Sequence, residues 1–152
     1  MSQEGNTSRY IIAYAANSGH RMLNYAIEIG GKAIYLSGPM TGRKDNNRTE
    51  FAEAEAALYN LGARYVFNPC EYYRKDEELP DWSRYEFMRR DINMLTGGPP
   101  HKPNFDMLVI LDSWERSNGA KAERICAEAS GICVHTLKEI EADQIRAFWE
   151  GR

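Results

Sequence analysis

Cysteine is scarce. The 152 residues hold three, Cys70, Cys126 and Cys133, an odd number with no C-x-x-C spacing. That excludes a disulfide framework and a zinc site built on paired cysteines, and it fits a reducing compartment, here the cytoplasm. Histidine is equally scarce. His20, His101 and His135 are separated too widely to show ligand spacing, so no metal is expected. Basic charge is not in excess: 19 Lys and Arg against 22 Asp and Glu leave a formal net charge of −3, with the cations scattered. A nucleic-acid polymer is therefore not the expected partner. No apolar run approaches membrane-spanning length, so no membrane partner is expected. Residues 10–16 are apolar, but they are short for a signal-peptide core and follow an acidic, polar start with Arg9 as the single flanking base, so a secretory leader is not expected. Repeats, low-complexity tracts, a P-loop ending in G-K-[ST] and a G-x-G-x-x-G fingerprint are all missing.

What is present is a 43% hydrophobic chain of a length that suits one domain with a proper core. Residues 1–8 are polar. Residues 10–16 read as a strand, and 20–29 have helical spacing in Met22, Leu23, Ala26 and Ile29, so residues 1–31 form an N-terminal extension, a possible β-α addition, up to the break at Gly30-Gly31. The main domain is expected over 32–152. Strands are expected at 32–37, 63–67, 105–111 and 132–136. The spacing of Phe51, Ala54, Leu58 and Leu61 predicts a helix ended by Gly62. A second, about 83–95, is expected to bury Tyr85, Met88, Ile92 and Leu95, with Asp91 at the flank of that stripe. A third runs from Asn118 to about Ser130 with Gly131 after it. The last, 137–149, takes apolar contacts from Ile140, Ile145, Phe148 and Trp149. Residues 70–81 read as a long charged connection carrying Tyr72 and Tyr73, with Trp82 at its end. Strand and helix thus alternate with short connections, the pattern of a three-layer α/β domain with a mostly parallel sheet.

In such sheets ligands bind outside the carboxyl ends of the strands. Three loops lie there: Ser37 to Gly42, with glycines on either side of Pro39; Asn68 to Trp82; and Asp112 to Gly119. The third hands over to a helix through Ser117-Asn118-Gly119-Ala120-Lys121-Ala122-Glu123, whose first-turn N–H groups offer a place for an anion. Glu123 lies one turn inside, on the face of Gly119. On residue types alone it reads either as a solvated helix glutamate or as a carboxylate turned toward a ligand. A capping box is excluded, because its partner would be Ala120 or Lys121.

Taken together, these motifs resemble the nucleoside 2-deoxyribosyltransferase superfamily, which includes deoxynucleoside monophosphate N-glycosidases and small phage-type members. The residues that carry the resemblance are Tyr35-Leu36-Ser37-Gly38-Pro39-Met40-Thr41-Gly42, Asp91 in Arg89-Arg90-Asp91-Ile92, Asp106 at a strand start, and Ser117-x-Gly119-x-x-x-Glu123, spanning about 32–136. The resemblance implies a Rossmann/flavodoxin-like domain that cleaves or transfers the N-glycosidic bond of a (deoxy)nucleoside or its 5'-monophosphate. Glu123 corresponds to the catalytic glutamate, Asp91 to a second carboxylate that protonates the base or fixes the sugar, and Tyr35 to a tyrosine beside the nucleophile. Gly38, Pro39, Met40, Thr41, Ser117, Gly119, Asn68 and Trp82 are the expected substrate contacts. No cofactor is implied, the partner is a small nucleoside or nucleotide, and a homodimer or higher homo-oligomer is expected. Serine at position 117 resembles the monophosphate hydrolases, whereas Pro39 stands where those members tend to place a phosphate-contacting serine. Arg124-Ile125 also departs from the Leu-Gly that commonly follows the glutamate. Two other readings share the same rim: a non-catalytic nucleotide-binding or sensing protein, and a hydrolase of NAD-type nucleotides.

Overall fold

The computed structural model describes residues 27–74 and 81–150, with the side chains of residues 72–74 left aside. The strand expected at 10–16, most of the helix expected at 20–29, and the side chains of Tyr72 and Tyr73 lie outside the described residues. The elements follow as β1 (Ala33–Ser37), α1 (Arg48–Asn60), β2 (Tyr65–Phe67), α2 (Pro69–Arg74), α3 (Arg84–Thr96), β3 (Met107–Ile110), α4 (Asn118–Ala129), β4 (Cys133–Thr136) and α5 (Leu137–Trp149). The result is a mixed α/β domain. Its four strands hydrogen-bond in the order β2-β1-β3-β4, and every pair is parallel.

Strand chemistry explains why helices cover both faces. All five residues of β1 and all four of β3 are buried, as continuous apolar runs require when both sides of a parallel sheet are covered. Alternation then sorts them. Ile34 and Leu36 join Phe51, Ala54 and Leu58 of α1 and Ile140 of α5 on one side. Ala33 and Tyr35 join Leu95 of α3 and Ala127 of α4 on the other. Because β1 has β2 on one side and β3 on the other, the chain reverses its direction of travel across the sheet, and such a reversal opens a crevice at the carboxyl ends of the strands.

Helix ends follow local chemistry. Ser83 with Glu86, and Thr136 with Glu139, form reciprocal capping boxes at α3 and α5. Gly62 and Gly131 follow α1 and α4 with φ of 98° and 75°, a conformation open to glycine at little cost.

Several expectations are corrected. Residues 69–74 are helical rather than part of a long loop: Asn68 Oδ1 accepts the Cys70 N–H at 2.9 Å, and Asn-Pro is a start signal, cap followed by proline in the first turn. Ile27, Glu28 and Ile29 are not helical. Their burial alternates, in-out-in, so the two isoleucines enter the core with period two, and Ile29 is not part of a helix. On α3 only Leu95 is buried, and Tyr85 is 64% exposed, because the first half of that helix faces a cleft instead of the core. Of the four apolar residues expected to pack from α5 only Ile140 is buried, while Ile145, Phe148 and Trp149 are exposed. Among the described residues no helix is long and apolar enough to cross a membrane.

The segment entering β1 is tied to α5 by one buried carboxylate. Asp143, fully buried, accepts the Ile27 N–H at 2.8 Å and pairs with Arg146. Asp143→Ala leaves a buried N–H and a largely buried guanidinium without this acceptor. It should lower unfolding free energy by roughly 3 kcal/mol, read from urea denaturation, whereas Asp112→Ala on the surface should change it little.

Candidate active site

The site is assembled from one strand and two helices. Tyr35 and Ser37 stand two residues apart on β1 and so project from the same face of the sheet. On α4, Ala120, Glu123 and Ala127 form the buried stripe, and the alanines let the helix approach the sheet closely enough for Glu123 to meet both hydroxyls. Tyr35 Oη donates to Glu123 Oε2 at 2.5 Å and Ser37 Oγ donates to Oε1 at 2.6 Å. Tyr35 is itself fixed, stacked on Phe67 at 4.9 Å and edge-on to Phe105 at 5.4 Å between ring centroids. The carboxylate plane is therefore held by two donors of different length rooted in a rigid strand.

Glu123 is 7% exposed, and burial pushes its carboxyl up from 4.5 to about 7. The Ser37 and Tyr35 hydrogen bonds oppose that rise, while the negative charge of Asp91 adds to it. Near neutral pH both forms are populated. The group can then act as a base or nucleophile in one form and carry a proton in the other.

Glu123 forms part of the wall of a cleft of about 990 Å³, which is also lined by Gly38, Pro39, Met40, Thr41, Asp91, Ser117 and Gly119. These expected residues thus converge on one cavity, with Tyr35 directly behind Glu123. Gly38 passes so close to α/β core that an added Cβ would lie 2.9 Å from the Leu111 Cβ, a contact real side chains avoid. Ser117 caps α4 by accepting the Ala120 N–H at 3.1 Å. That leaves the first-turn N–H groups of Asn118 and Gly119 without a partner inside the helix, at its positive end. Asp91 pairs with Arg90 at 3.1 and 2.7 Å, and the Arg90 guanidinium lies over the rings of Trp82 and Phe87, 5.6 Å from each centroid.

Two expected contacts are placed elsewhere. The Asn68 amide is engaged at both ends, donating to Glu55 Oε1 at 2.8 Å and capping α2, so it serves the α1–α2 junction and does not line the cleft. Trp82 packs on Phe87, ring centroids 5.3 Å apart, and does not line the cleft. Asp106, part of the motif set, lies at the opposite end of β1 from Ser37, where its Oδ2 accepts the Ala33 N–H at 2.8 Å.

Residues not singled out from the sequence also line the cleft, Arg48, Arg84 and Arg116 with Asn46 and Phe87, together with Tyr85 and Met88, which were expected in the core. The role of Ser37 was legible, since strand alternation from Tyr35 places it on the same face. The arginines had no such signal, because long side chains from distant segments meet only in the fold. Asn46 belongs to a run of three non-glycine residues, Asp45, Asn46 and Asn47, in left-handed backbone with φ of 52°, 50° and 64°. Asp and Asn tolerate that region best. Asn47 Nδ2 donates to the Pro39 carbonyl at 3.0 Å, so the run clamps the first loop. Among the described residues no group of three or more His, Cys, Asp or Glu side chains is placed so that it could hold a metal ion.

Residues 32–136 match the family model described as Domain of unknown function (DUF4406). The match covers the whole stretch from β1 through β4 that builds the cleft, and residues 1–31 precede it. No curated protein and no solved structure matches the chain.

Holding Glu123 here costs stability. Folding raises its carboxyl from 4.5 to about 7, so between those values the native state keeps a proton that the unfolded chain has lost, and stability falls as pH rises. Above pH 7 the full cost is in place, on the order of 3 kcal/mol. Glu123→Gln, which carries no charge, should therefore raise the Tm by about 6–12 °C at pH 8 and hardly at all at pH 4.5, as read by calorimetry.

Proposed function

We propose that this chain, which belongs to the DUF4406 family, cleaves or transfers the N-glycosidic bond of a (deoxy)nucleoside or (deoxy)nucleoside 5'-monophosphate, with Glu123 as nucleophile. The observation that carries the reading is the Glu123 carboxylate, held by Tyr35 and Ser37 at the wall of the cleft. Breaking the bond builds positive charge at C1' of the sugar. A fixed carboxylate against that carbon stabilises the charge and then closes on it as a glycosyl ester, while the electron pair of the broken bond leaves with the base. Water, or the nitrogen of a second base, attacks C1' in turn and releases Glu123. In this reading the domain is Rossmann/flavodoxin-like, with the substrate at the reversal point of its sheet.

The other groups divide the substrate between them. Asp91, already lending an oxygen to Arg90, is suited to accept a sugar hydroxyl and so to fix the ring over Glu123. The N-terminus of α4, with Ser117 and the cleft arginines Arg48, Arg84 and Arg116, supports a 5'-phosphate, since first-turn N–H groups and guanidinium forks both suit that anion. Tyr85 and Phe87 offer flat faces to the base. A homodimer or larger homo-oligomer belongs to the same reading, supported by the exposed Ile145, Phe148 and Trp149 on α5. A cytoplasmic location fits three cysteines that are all free.

The test is free-base release from a panel of nucleosides and 5'-monophosphates, with and without an acceptor base. Monophosphates should be the better substrates, and Glu123→Ala should lose ~10³-fold or more in turnover with the fold intact. Base release unchanged in that variant, or none from any substrate, would sink the assignment, and ligand binding without turnover would instead indicate a sensor. The pH profile supplies a second check. Turnover should rise with pH and level off above about 7, where Glu123 is ionised. Tyr35→Phe removes a hydrogen bond that favours the ionised form, so its rising limb should move to higher pH.

A further inference from the structure

A second cluster of reactive side chains lies at the outer edge of the sheet, and the proposed cleft chemistry makes no use of it. Cys133 and His135 stand two residues apart on β4, on the same face. Cys133 Sγ lies 3.3 Å from His135 Nε2. On the other side of the ring, His135 Nδ1 lies 3.6 Å from Glu139 Oε2, while Glu139 Oε1 accepts the Thr136 N–H at 2.7 Å. Thiol, imidazole and carboxylate are thus arranged in line. The histidine is 2% exposed and the glutamate 6% exposed, whereas Cys133 is half-buried. The neighbour of His135 on β3 is the apolar Val109. On α5, Glu141 is exposed, and the next charged groups on the face of Glu139, at i+4 and i+7, are Asp143 and Arg146, which pair with each other.

We propose that Cys133 is a modification site, a nucleophilic thiolate paired with the His135 imidazolium and backed by the Glu139 carboxylate, that reacts with hydroperoxides and soft carbon electrophiles. An imidazole held in line between a thiol and a carboxylate takes the thiol proton, because the resulting cation lies between two anions and is stabilised by both. In keeping with this, burial alone would pull the His135 pKa down, but its contacts with Cys133 and Glu139 reverse that and raise it to about 9. In the oxidative step the sulfur attacks one oxygen of the hydroperoxide. The S–O bond forms as the O–O bond breaks, the departing alkoxide or hydroxide takes the proton from His135, and Cys133 ends as sulfenic acid with the peroxide reduced to alcohol or water. The other two cysteines lack this arrangement: Cys70 is buried with its thiol pushed up to about 11 by burial, and Cys126 is half-buried on α4. Cys133 opens β4 in register with Met107, three residues before the level of Thr136 and Ile110, which continue the row to Ser37. It therefore lies about 10 Å along the strand from the cleft rim, and its modification leaves Glu123 untouched.

The experiment is limited alkylation of the native full chain with iodoacetamide between pH 6 and 9, followed by peptide mass spectrometry of all three cysteines, with peroxide and a sulfenic-acid trap as a parallel arm. Cys133 should react at least tenfold faster than Cys126 at pH 7, with a rate nearly flat across the range, and should be the cysteine trapped as sulfenic acid. A thiol without such partners accelerates about tenfold per pH unit up to roughly pH 8.5. His135→Gln should return Cys133 to that ordinary profile. If this variant does not fold, the wild-type profile decides by itself. A Cys133 rate that climbs about tenfold per pH unit like that of an unactivated thiol, or a Cys133 that stays unlabelled until the chain is denatured, would overturn the proposal.

Discussion

The structure depends on a buried carboxylate shared between a strand and a helix. Glu123 takes hydrogen bonds from Tyr35 and Ser37 at 2.5 and 2.6 Å, and these are the polar contacts that join α4 to β1 across an otherwise apolar layer. An isolated carboxylate at such depth would be unaffordable; two hydroxyl donors make it tolerable without making it comfortable. That balance is visible in a carboxyl group held near neutral titration. A core selected for stability alone would place an apolar residue here, as it does at Ala120 and Ala127 on the same stripe. Exposing one edge of the group to a cleft turns this local cost into chemical capacity.

The rest of the fold explains how that edge becomes accessible. Strand order β2-β1-β3-β4 sends helices to opposite faces around β1, so the crevice opens where β1 ends, at Ser37 and Gly38. Each wall then has its own origin. The first loop is clamped by the left-handed run at 45–47, the opposite wall is the capped start of α4, and the side is the exposed half of α3. Arg90 joins the last to the site, holding Asp91 in place while resting on Trp82 and Phe87.

Much of this was legible in the sequence because parallel α/β chemistry repeats itself. Apolar runs gave the strands, helical spacing gave α1, and the Ser117 turn with Glu123 one turn later gave one wall of the cleft. Readings failed where a residue serves a surface other than the core. Tyr85 continues the apolar stripe of α3 but faces the cleft; Ile145, Phe148 and Trp149 continue α5 into solvent. The Asn68-Pro69 pair both stops β2 after Phe67 and starts α2, and the second meaning was not expected. Asn68 lay in a binding loop by position, yet its amide is consumed by Glu55 and the α2 cap. The arginines of the cleft were invisible, since nothing local marks where a long flexible cation will end.

The most direct measurement of the central claim is the fate of Glu123 during turnover. Enzyme mixed with deoxynucleoside 5'-monophosphates, quenched in acid within the first turnovers and digested, should yield the peptide containing Glu123 with the mass of one sugar phosphate added, and free base should appear in equal amount. Free base released while that peptide stays unmodified and another residue carries the sugar would contradict the account.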